Sequence, residues 1–359
     1  MNRIILINAP ISFESNKIVG DENLSEPLGL MYIAAVLEKN RYSVKIIDVG
    51  AEKLTLEGVL DAIRKEKPLV IGISALTSSI RSAARLALTV KNRVNKNLPI
   101  ILGGTHVSAD PDIVKRYNCF DAGIVGEGEY EFLNLVNRIK EGEEVRGVLR
   151  SGVIKNLDKL PFPARHLVNK ENYIKRGIIT SRGCPYNCIF CGVPALSKIT
   201  RFRLPEKVAD EIEYIYQNCN GHILFTDDTL TLRKDHVLGI CREILKRKLK
   251  VRWVASTRVD RLDEEIIEAM KLAGCDELAL GIESGNERIR NKVVGKGITD
   301  EQIVNAVRAC KKYKIKVAFY LMLGFPTETK KEMHDTANCG EGVDFDWIGA
   351  NAAADYACY

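Results

Sequence analysis

The chain of 359 residues is 46% hydrophobic and 28% charged, a composition that can bury sizeable cores and excludes a disordered protein. Its 53 basic and 47 acidic residues leave a formal charge of +6; the lysine runs 246–250 and 311–316 fall at predicted helix ends, where they favour the carbonyl pole, so nucleic acid is not an expected partner. No apolar run is long enough to cross a bilayer, which excludes an expected membrane partner, and ten cysteines without an export pattern point away from disulfides and to a cytoplasmic setting.

In chain order, continuous apolar runs predict strands at 3–10, 44–48, 69–76, 99–104 and 122–126. Amphipathic stretches predict helices at 27–40, 55–65 and 80–95, with one more after each of the last two strands. Strands without alternation, separated by amphipathic helices, are buried on both faces and form a parallel, doubly wound sheet. Ligands of such sheets bind outside the carboxyl ends of the strands. Here those ends read Asn8-Ala9-Pro10, Ser74-Ala75-Leu76-Thr77, Gly103-Gly104-Thr105-His106 and Gly126-Glu127-Gly128-Glu129. The first strand is followed by no Gly-x-Gly-x-x-Gly, and no Walker lysine is present, so the pocket suits a bulky organic cofactor rather than a phosphate clamp.

The pattern breaks over 141–176, where Leu157-Asp158-Lys159-Leu160-Pro161-Phe162-Pro163 is proline-rich and aperiodic. It predicts a first domain of 1–145, a linker over 146–176 and a second domain of 177–359. In the second domain strands are expected at 177–181, 222–227, 251–257, 277–283 and 317–325, with helices at 205–217, 234–248, 263–272 and 299–313. A further helix over 328–339 and a sixth strand from 346 complete the set. The small-residue-rich end, 350–359, stops abruptly, so either a chain truncated at its C-terminal end or a partner that closes the barrel is expected. Repeated βα units of this size make a barrel or part of one, with its active site at the carboxyl ends of the strands.

The stretch Gly183-Cys184-Pro185-Tyr186-Asn187-Cys188-Ile189-Phe190-Cys191 follows the first of these strands. Three thiolates in one loop can hold zinc with a fourth ligand, or a 4Fe-4S cluster with one iron free of protein. Zinc sites usually pair two short hairpins, and here no second pair exists, so His222 would have to serve alone. Most of the other seven cysteines, among them Cys119, Cys241, Cys275 and Cys310, read as small buried hydrophobes.

Cys-x3-Cys-x2-Cys with an aromatic residue before the last cysteine resembles the radical S-adenosylmethionine (SAM) superfamily, and other stretches agree. Gly281-Ile282-Glu283-Ser284-Gly285 resembles that family's element after strand four, and Gly324-Phe325-Pro326-Thr327-Glu328-Thr329 its element after strand five. Phe225-Thr226-Asp227-Asp228 sits where the family has its strand-two motif for the SAM amino group. In the first half, Pro27-Leu28-Gly29-Leu30, the Gly103 and Gly126 loops and Leu160-Pro161-Phe162-Pro163 resemble the cobalamin (B12)-binding subfamily. The implied fold is α/β: an N-terminal Rossmann-like doubly wound parallel sheet followed by a partial (β/α)6 radical SAM barrel.

The resemblance implies that Cys184, Cys188 and Cys191 ligate a 4Fe-4S cluster whose fourth iron chelates SAM. It assigns Asp227 and Asp228 to the SAM ammonium, Glu283 to the ribose, Arg258 to the carboxylate or a substrate, and Ser284 to the same site; as bare side chains, the carboxylates and Arg258 also read as salt bridges at strand ends. Cobalamin contacts are implied for Ser74, Thr77, Gly103, Gly104, His106, Gly126 and Glu127. The Asp-x-His-x-x-Gly signature of a lower axial histidine is missing from this sequence, so His106 reads as structural and cobalamin as held without a protein histidine on cobalt.

The implied reaction cleaves SAM to methionine and a 5'-deoxyadenosyl radical, which takes hydrogen from an unactivated carbon; methylcobalamin then methylates that carbon and a second SAM remethylates cobalt. A runner-up keeps both cofactors for cyclisation or rearrangement. A reading of another class is a zinc-stabilised binding protein without catalysis. The implied partners are an electron donor such as flavodoxin or ferredoxin and a small-molecule or peptide substrate that these residues do not specify.

Overall fold

The computed structural model describes residues 3–13, 25–219, 221–339 and 345–352, in two compact units, Met1–Lys175 and Arg176–Tyr359. In the first unit, β1 (Arg3–Asn8), β2 (Ser43–Asp48), β3 (Val70–Ser74), β4 (Ile100–Gly103), β5 (Ala122–Val125) and β6 (Gly147–Arg150) form a sheet in the order β2-β1-β3-β4-β5-β6. All its neighbours are parallel. Ile4, Ile5, Leu6 and Ile7 are each no more than 1% exposed, which is how a strand covered on both faces must read. Its helices are α1 (Leu28–Lys39), α2 (Leu56–Glu66), α3 (Ile80–Arg93), α4 (Thr105–Ala109), α5 (Ile113–Arg116) and α6 (Gly128–Lys140).

The stretch expected as a linker belongs to this unit. Residues 147–150 add the parallel edge strand β6 beside β5, and Ala164 N donates to Met31 O at 3.1 Å. Arg165 pairs with Glu26 in a buried ion pair, and Tyr173 Oη donates to Asp48 Oδ2 at 3.0 Å. The division falls after Lys175, so residues 146–175 join the first unit and the second begins within one residue of the expected 177. Side-chain bonds of this kind leave no periodic trace, which is why a proline-rich run that packs on the sheet reads as a tether.

The second unit opens with β7 (Lys175–Ile178), which straddles the division, and continues through β8 (Ser181–Arg182), α7 (Val193–Leu196), β9 (Arg201–Phe202), α8 (Pro205–Asn218), β10 (His222–Phe225), α9 (Lys234–Lys246), β11 (Trp253–Thr257) and α10 (Glu264–Leu272). It closes with β12 (Cys275–Glu283), α11 (Asp300–Lys312), β13 (Lys316–Leu323), α12 (Lys330–Ala337) and β14 (Trp347–Ala352). Six strands lie in the order β7-β10-β11-β12-β13-β14, parallel from β10 to β14. The sheet is an open, partial barrel. Chain beyond 352, and Cys358 with it, lies outside the described residues.

Outward-facing Ile223, Phe225, Trp253, Leu278, Leu280, Val317 and Phe319 share one core with the apolar stripes of the helices. Phe225 and Trp253 meet edge to face at 4.8 Å, worth about 1 kcal/mol beyond burial, and Trp253 Nε1 donates to Ala273 O at 2.9 Å. Cys119, Cys241, Cys275 and Cys310 are buried, as expected of small hydrophobes. Thr299 with Gln302 and Thr329 with Glu332 close capping boxes on α11 and α12, so these helices start at a fixed residue.

Candidate cluster and cofactor sites

The cysteine loop is built into position by backbone. Cys184 N donates to Ser197 O at 3.3 Å, Cys191 N to Cys188 O at 3.0 Å, and Ile189 N to Val294 O at 3.1 Å. Gly183 has φ +92°, and a Cβ there would lie 2.5 Å from Ile199 O; only glycine fits both the conformation and the space. Phe190 packs with Phe325, ring centroids 6.1 Å apart, beside Ile289, Val294 and Met322. It anchors the loop from behind.

Cys184 is buried, while Cys188 and Cys191 are half-buried. Burial pushes the Cys188 thiol up, and Lys296 and Arg258 oppose this by favouring its thiolate. Burial likewise raises Cys191, against a hydrogen bond from Val193 N. Among the described residues, no three His, Cys, Asp or Glu side chains converge enough to hold a single metal ion. A cuboidal cluster takes each thiolate on a different iron. The donor set fits a cluster.

Arg258, at the end of β11, is 5% exposed. Its Nε and Nη2 donate to Asp260 at 2.8 and 3.2 Å, and Nη2 also to Lys296 O at 2.6 Å. The guanidinium stacks 3.8 Å over the Tyr186 ring, inside the cysteine loop. Its Nη1 is buried without a partner, an arrangement that costs about 1–3 kcal/mol and that an anionic ligand group would relieve.

Glu283 ends β12 at a register shift against β13, with φ +68°. That left-handed turn folds its carboxylate back to accept from Lys296 Nζ at 2.7 Å, both side chains being under 10% exposed. Strain of this kind in a non-glycine residue persists where the surroundings over-determine it, commonly at ligand sites. Lys296, in Val294-Gly295-Lys296-Gly297, is a site residue that the sequence reading does not single out. Its contact with Glu283 across 13 residues has no periodic signal.

The two aspartates of the strand-two motif separate. Asp227 is 4% exposed and accepts from Thr180 N at 3.2 Å, Thr180 Oγ1 at 2.7 Å and Ser181 Oγ at 2.5 Å. His236 Nε2 lies 3.1 Å from the same Thr180 hydroxyl. Asp227 thus ties down the chain entering the cysteine loop. Asp228 is exposed and accepts from Gly183 N, which puts it beside Cys184. Ser284 is also structural: its Oγ lies 2.9 Å from Thr336 Oγ1 and accepts from Asn286 N at 3.1 Å. Glu328 of the strand-five motif accepts from Gly324 N at 2.6 Å and Phe325 N at 3.0 Å, holding the turn after β13.

Burial pushes the Asp227 carboxyl up to about 6, against the Ser181 and Thr180 bonds that favour the charged form. A carboxyl that binds its proton more tightly folded than unfolded stabilises the fold below about pH 4 and loses that contribution as pH rises. Relative to Asp227→Asn, the apoprotein is expected to lose stability between about pH 4 and pH 6. Urea unfolding of both proteins across that range checks it.

In the first unit, the carboxyl ends of β3, β4 and β5 bring together Ser74, Thr77, Gly103, Gly104, His106 and Gly126. Gly104, at φ +99°, would place a Cβ 2.6 Å from Ala75 O and 3.1 Å from Ser74 Oγ, so the loops after β3 and β4 touch through backbone. His106 Nδ1 meets Thr77 Oγ1 at 3.1 Å, and Gly126 N donates to Ser108 Oγ at 3.1 Å. Glu127 accepts from Ile154 N at 2.6 Å and so ties the segment after β6. A shelf of close backbone without a phosphate-clamping cation fits a bulky, largely neutral cofactor.

Comparison with known proteins places a known domain family on each half of the chain. The Radical SAM superfamily model matches residues 178–339, and the B12 binding domain model matches 21–136. An uncharacterized methyltransferase of Pyrococcus horikoshii is 34% identical over 99% of this chain and 81% of its own length. The anaerobic magnesium-protoporphyrin IX monomethyl ester cyclase of Rubrivivax gelatinosus is 29% identical over 86% of this chain, which spans 61% of that relative. The structure of TsrM from Kitasatospora setae, a radical SAM methyltransferase, superposes with a TM-score of 0.81 at 20% identity, covering 98% of this chain and 73% of that one.

Proposed function

Since the chain belongs to the radical SAM enzymes that carry an N-terminal B12-binding domain, we propose that it is a cobalamin-dependent methyltransferase acting on an unactivated carbon. The observation that carries this is the pairing of both domain models in one chain with 34% identity to a methyltransferase along nearly its whole length. When bound, the 4Fe-4S cluster and SAM supply a 5'-deoxyadenosyl radical, and cobalamin supplies a transferable methyl group.

The chain's own residues do the placing. Cys184, Cys188 and Cys191 hold the cluster, leaving one iron without a protein ligand. The free Nη1 of Arg258 suits the SAM carboxylate, and exposed Asp228 suits its ammonium. Glu283, fixed by Lys296, keeps a carboxylate at the end of β12 for the ribose hydroxyls. Asp227 and Ser284 act at one remove, by fixing the loops. Flavodoxin or ferredoxin would deliver the electron. Ten cysteines and an oxygen-sensitive cluster support a cytoplasmic setting, and among the described residues no helix is long and apolar enough to cross a membrane.

The cyclase relative supports a second reading, in which the same cofactors serve ring formation. Anaerobically reconstituted protein, given reductant, cobalamin, methyl-labelled SAM and cell extract, separates the two. A labelled new product supports methylation. An unlabelled product formed only with SAM supports cyclisation, and protein that never forms 5'-deoxyadenosine defeats both.

A further inference from the structure

Resting on the radical reading above, we infer that Tyr320 and Trp347 bind the substrate on the inner face of the second unit's sheet, and that the substrate presents a flat, unsaturated ring whose N–H donor is taken by Glu277. In β13, Val317, Phe319 and Leu321 belong to the core under the helices, so Ala318, Tyr320 and Met322 point to the opposite, inner face. Residues paired in register share a face: Tyr320 stands between Gly281 of β12 and Gly349 of β14, and Ala318 beside Trp347. Both aromatic rings therefore lie inside the partial barrel.

This face leads to the cofactor end of the sheet. Met322, two residues on from Tyr320, packs with Ile289, Val294 and Phe325, and Cys188 and Phe190 lie against that group. A Cβ on Gly281 would meet Glu283 Oε1 at 2.7 Å and Lys296 Nζ at 2.8 Å, so the Glu283–Lys296 pair lies over the glycine next to Tyr320. A ring held by Tyr320 is one strand step from the residues assigned to SAM.

The two rings make a corner. Their centroids are 6.1 Å apart with planes at 78°, and a Cβ on Gly349 would lie 2.8 Å from Tyr320 Cδ1, so glycine at that position makes room for the Tyr320 ring. Tyr320 is 37% exposed and Trp347 40%, although tryptophan in particular is usually well covered. A right-angled pair of open aromatic faces over Ala279, Gly281 and Ala318 suits a flat ring, which stacks on one face and turns its edge to the other. Polar groups stand beside it. Burial pushes the Tyr320 phenol up, Glu277 acts in the same direction and the Ser256 hydroxyl opposes them, so the phenol keeps its proton next to a carboxylate. Glu277 has exposed Lys316 beside it in register, yet among the described residues its carboxylate is in no ion pair. It is left to accept from a donor on the ring.

Fluorescence anisotropy of 9-aminoacridine, a flat ring with N–H donors, titrated into anaerobically reconstituted whole protein carrying SAM tests this. The wild type is expected to bind the probe saturably, and indole, but not cyclohexylamine, to displace it. Tyr320→Leu and Trp347→Leu should each weaken binding at least about tenfold, and Glu277→Gln at least about fivefold, as expected when a stacking face or a charged acceptor is lost. Tyr320→Phe keeps the ring and should stay within about threefold of the wild type. Emission from Trp253, which lies in the opposite core, reports that each variant is folded. Leucine variants that bind as the wild type does, or a wild type that takes cyclohexylamine as readily as indole, overturn the inference. So does Trp347 emission shielded from acrylamide in the ligand-free protein, which would mean that the protein's own chain covers this face. Wild-type protein that forms no 5'-deoxyadenosine from SAM and reductant defeats the underlying radical reading instead.

Discussion

Cys188→Ala is expected to leave the second unit folded and nearly free of iron. The thiol is half-buried, and its loop is held by backbone bonds at Cys184, Ile189 and Cys191 and by Phe190 against Phe325. None of these needs the sulfur. The cluster does, because with two thiolates left, two irons rather than one lack a protein ligand. Iron after anaerobic reconstitution should fall from about four atoms per chain toward zero, and 5'-deoxyadenosine formation should fall at least about a thousandfold, as when an essential catalytic group is removed. Both tryptophans, Trp253 and Trp347, lie in the second unit, so their emission reports whether that unit remains folded. Iron and activity retained together in the variant would refute the ligand assignment.

Arg258→Met should damage both stability and SAM binding, to separable extents. Removing the guanidinium leaves Asp260, whose side chain is 16% exposed, with only Arg261 at 3.9 Å, and frees Lys296 O. Breaking a largely buried pair from one side costs about 3–5 kcal/mol, read here from urea unfolding of the apoprotein by tryptophan emission. Loss of the donor facing the SAM carboxylate should raise the SAM concentration needed for half-maximal binding at least about tenfold, or about 1.4 kcal/mol. Arg258→Lys keeps the charge but not the fork that grips Asp260 while leaving Nη1 over. It should recover part of the stability and little of the SAM affinity. Full recovery of both would reduce Arg258 to a point charge.

Much of the fold was legible because the signals are local. The runs that became β1 and β3 are apolar without alternation, and capping sequences such as Thr299-Asp300-Glu301-Gln302 mark where helices start. The start of the second unit was legible, but the reach of the first was not: β6 is a half-exposed edge strand with little apolar signal, and the chain after it is held by isolated contacts such as Tyr173 to Asp48. At the site, the cysteine spacing and the Gly281–Gly285 motif could be read directly, since each concentrates its chemistry in a few adjacent residues. The roles of Asp227 and Asp228 could not, because adjacent carboxylates differ only in which one the strand end turns inward. Lys296 was invisible for the complementary reason. Its burial is created by the bulge at Glu283, a backbone feature that no side-chain pattern announces.

A loop 183–191 that holds a cluster with one iron open to SAM has a direct spectroscopic signature. Low-temperature EPR of dithionite-reduced, cobalamin-free protein, recorded with and without SAM, tests for it. A reduced 4Fe-4S signal is expected, with g-values that shift when SAM is added. A cluster signal unmoved by SAM, or colourless protein carrying stoichiometric zinc and no iron, would contradict it.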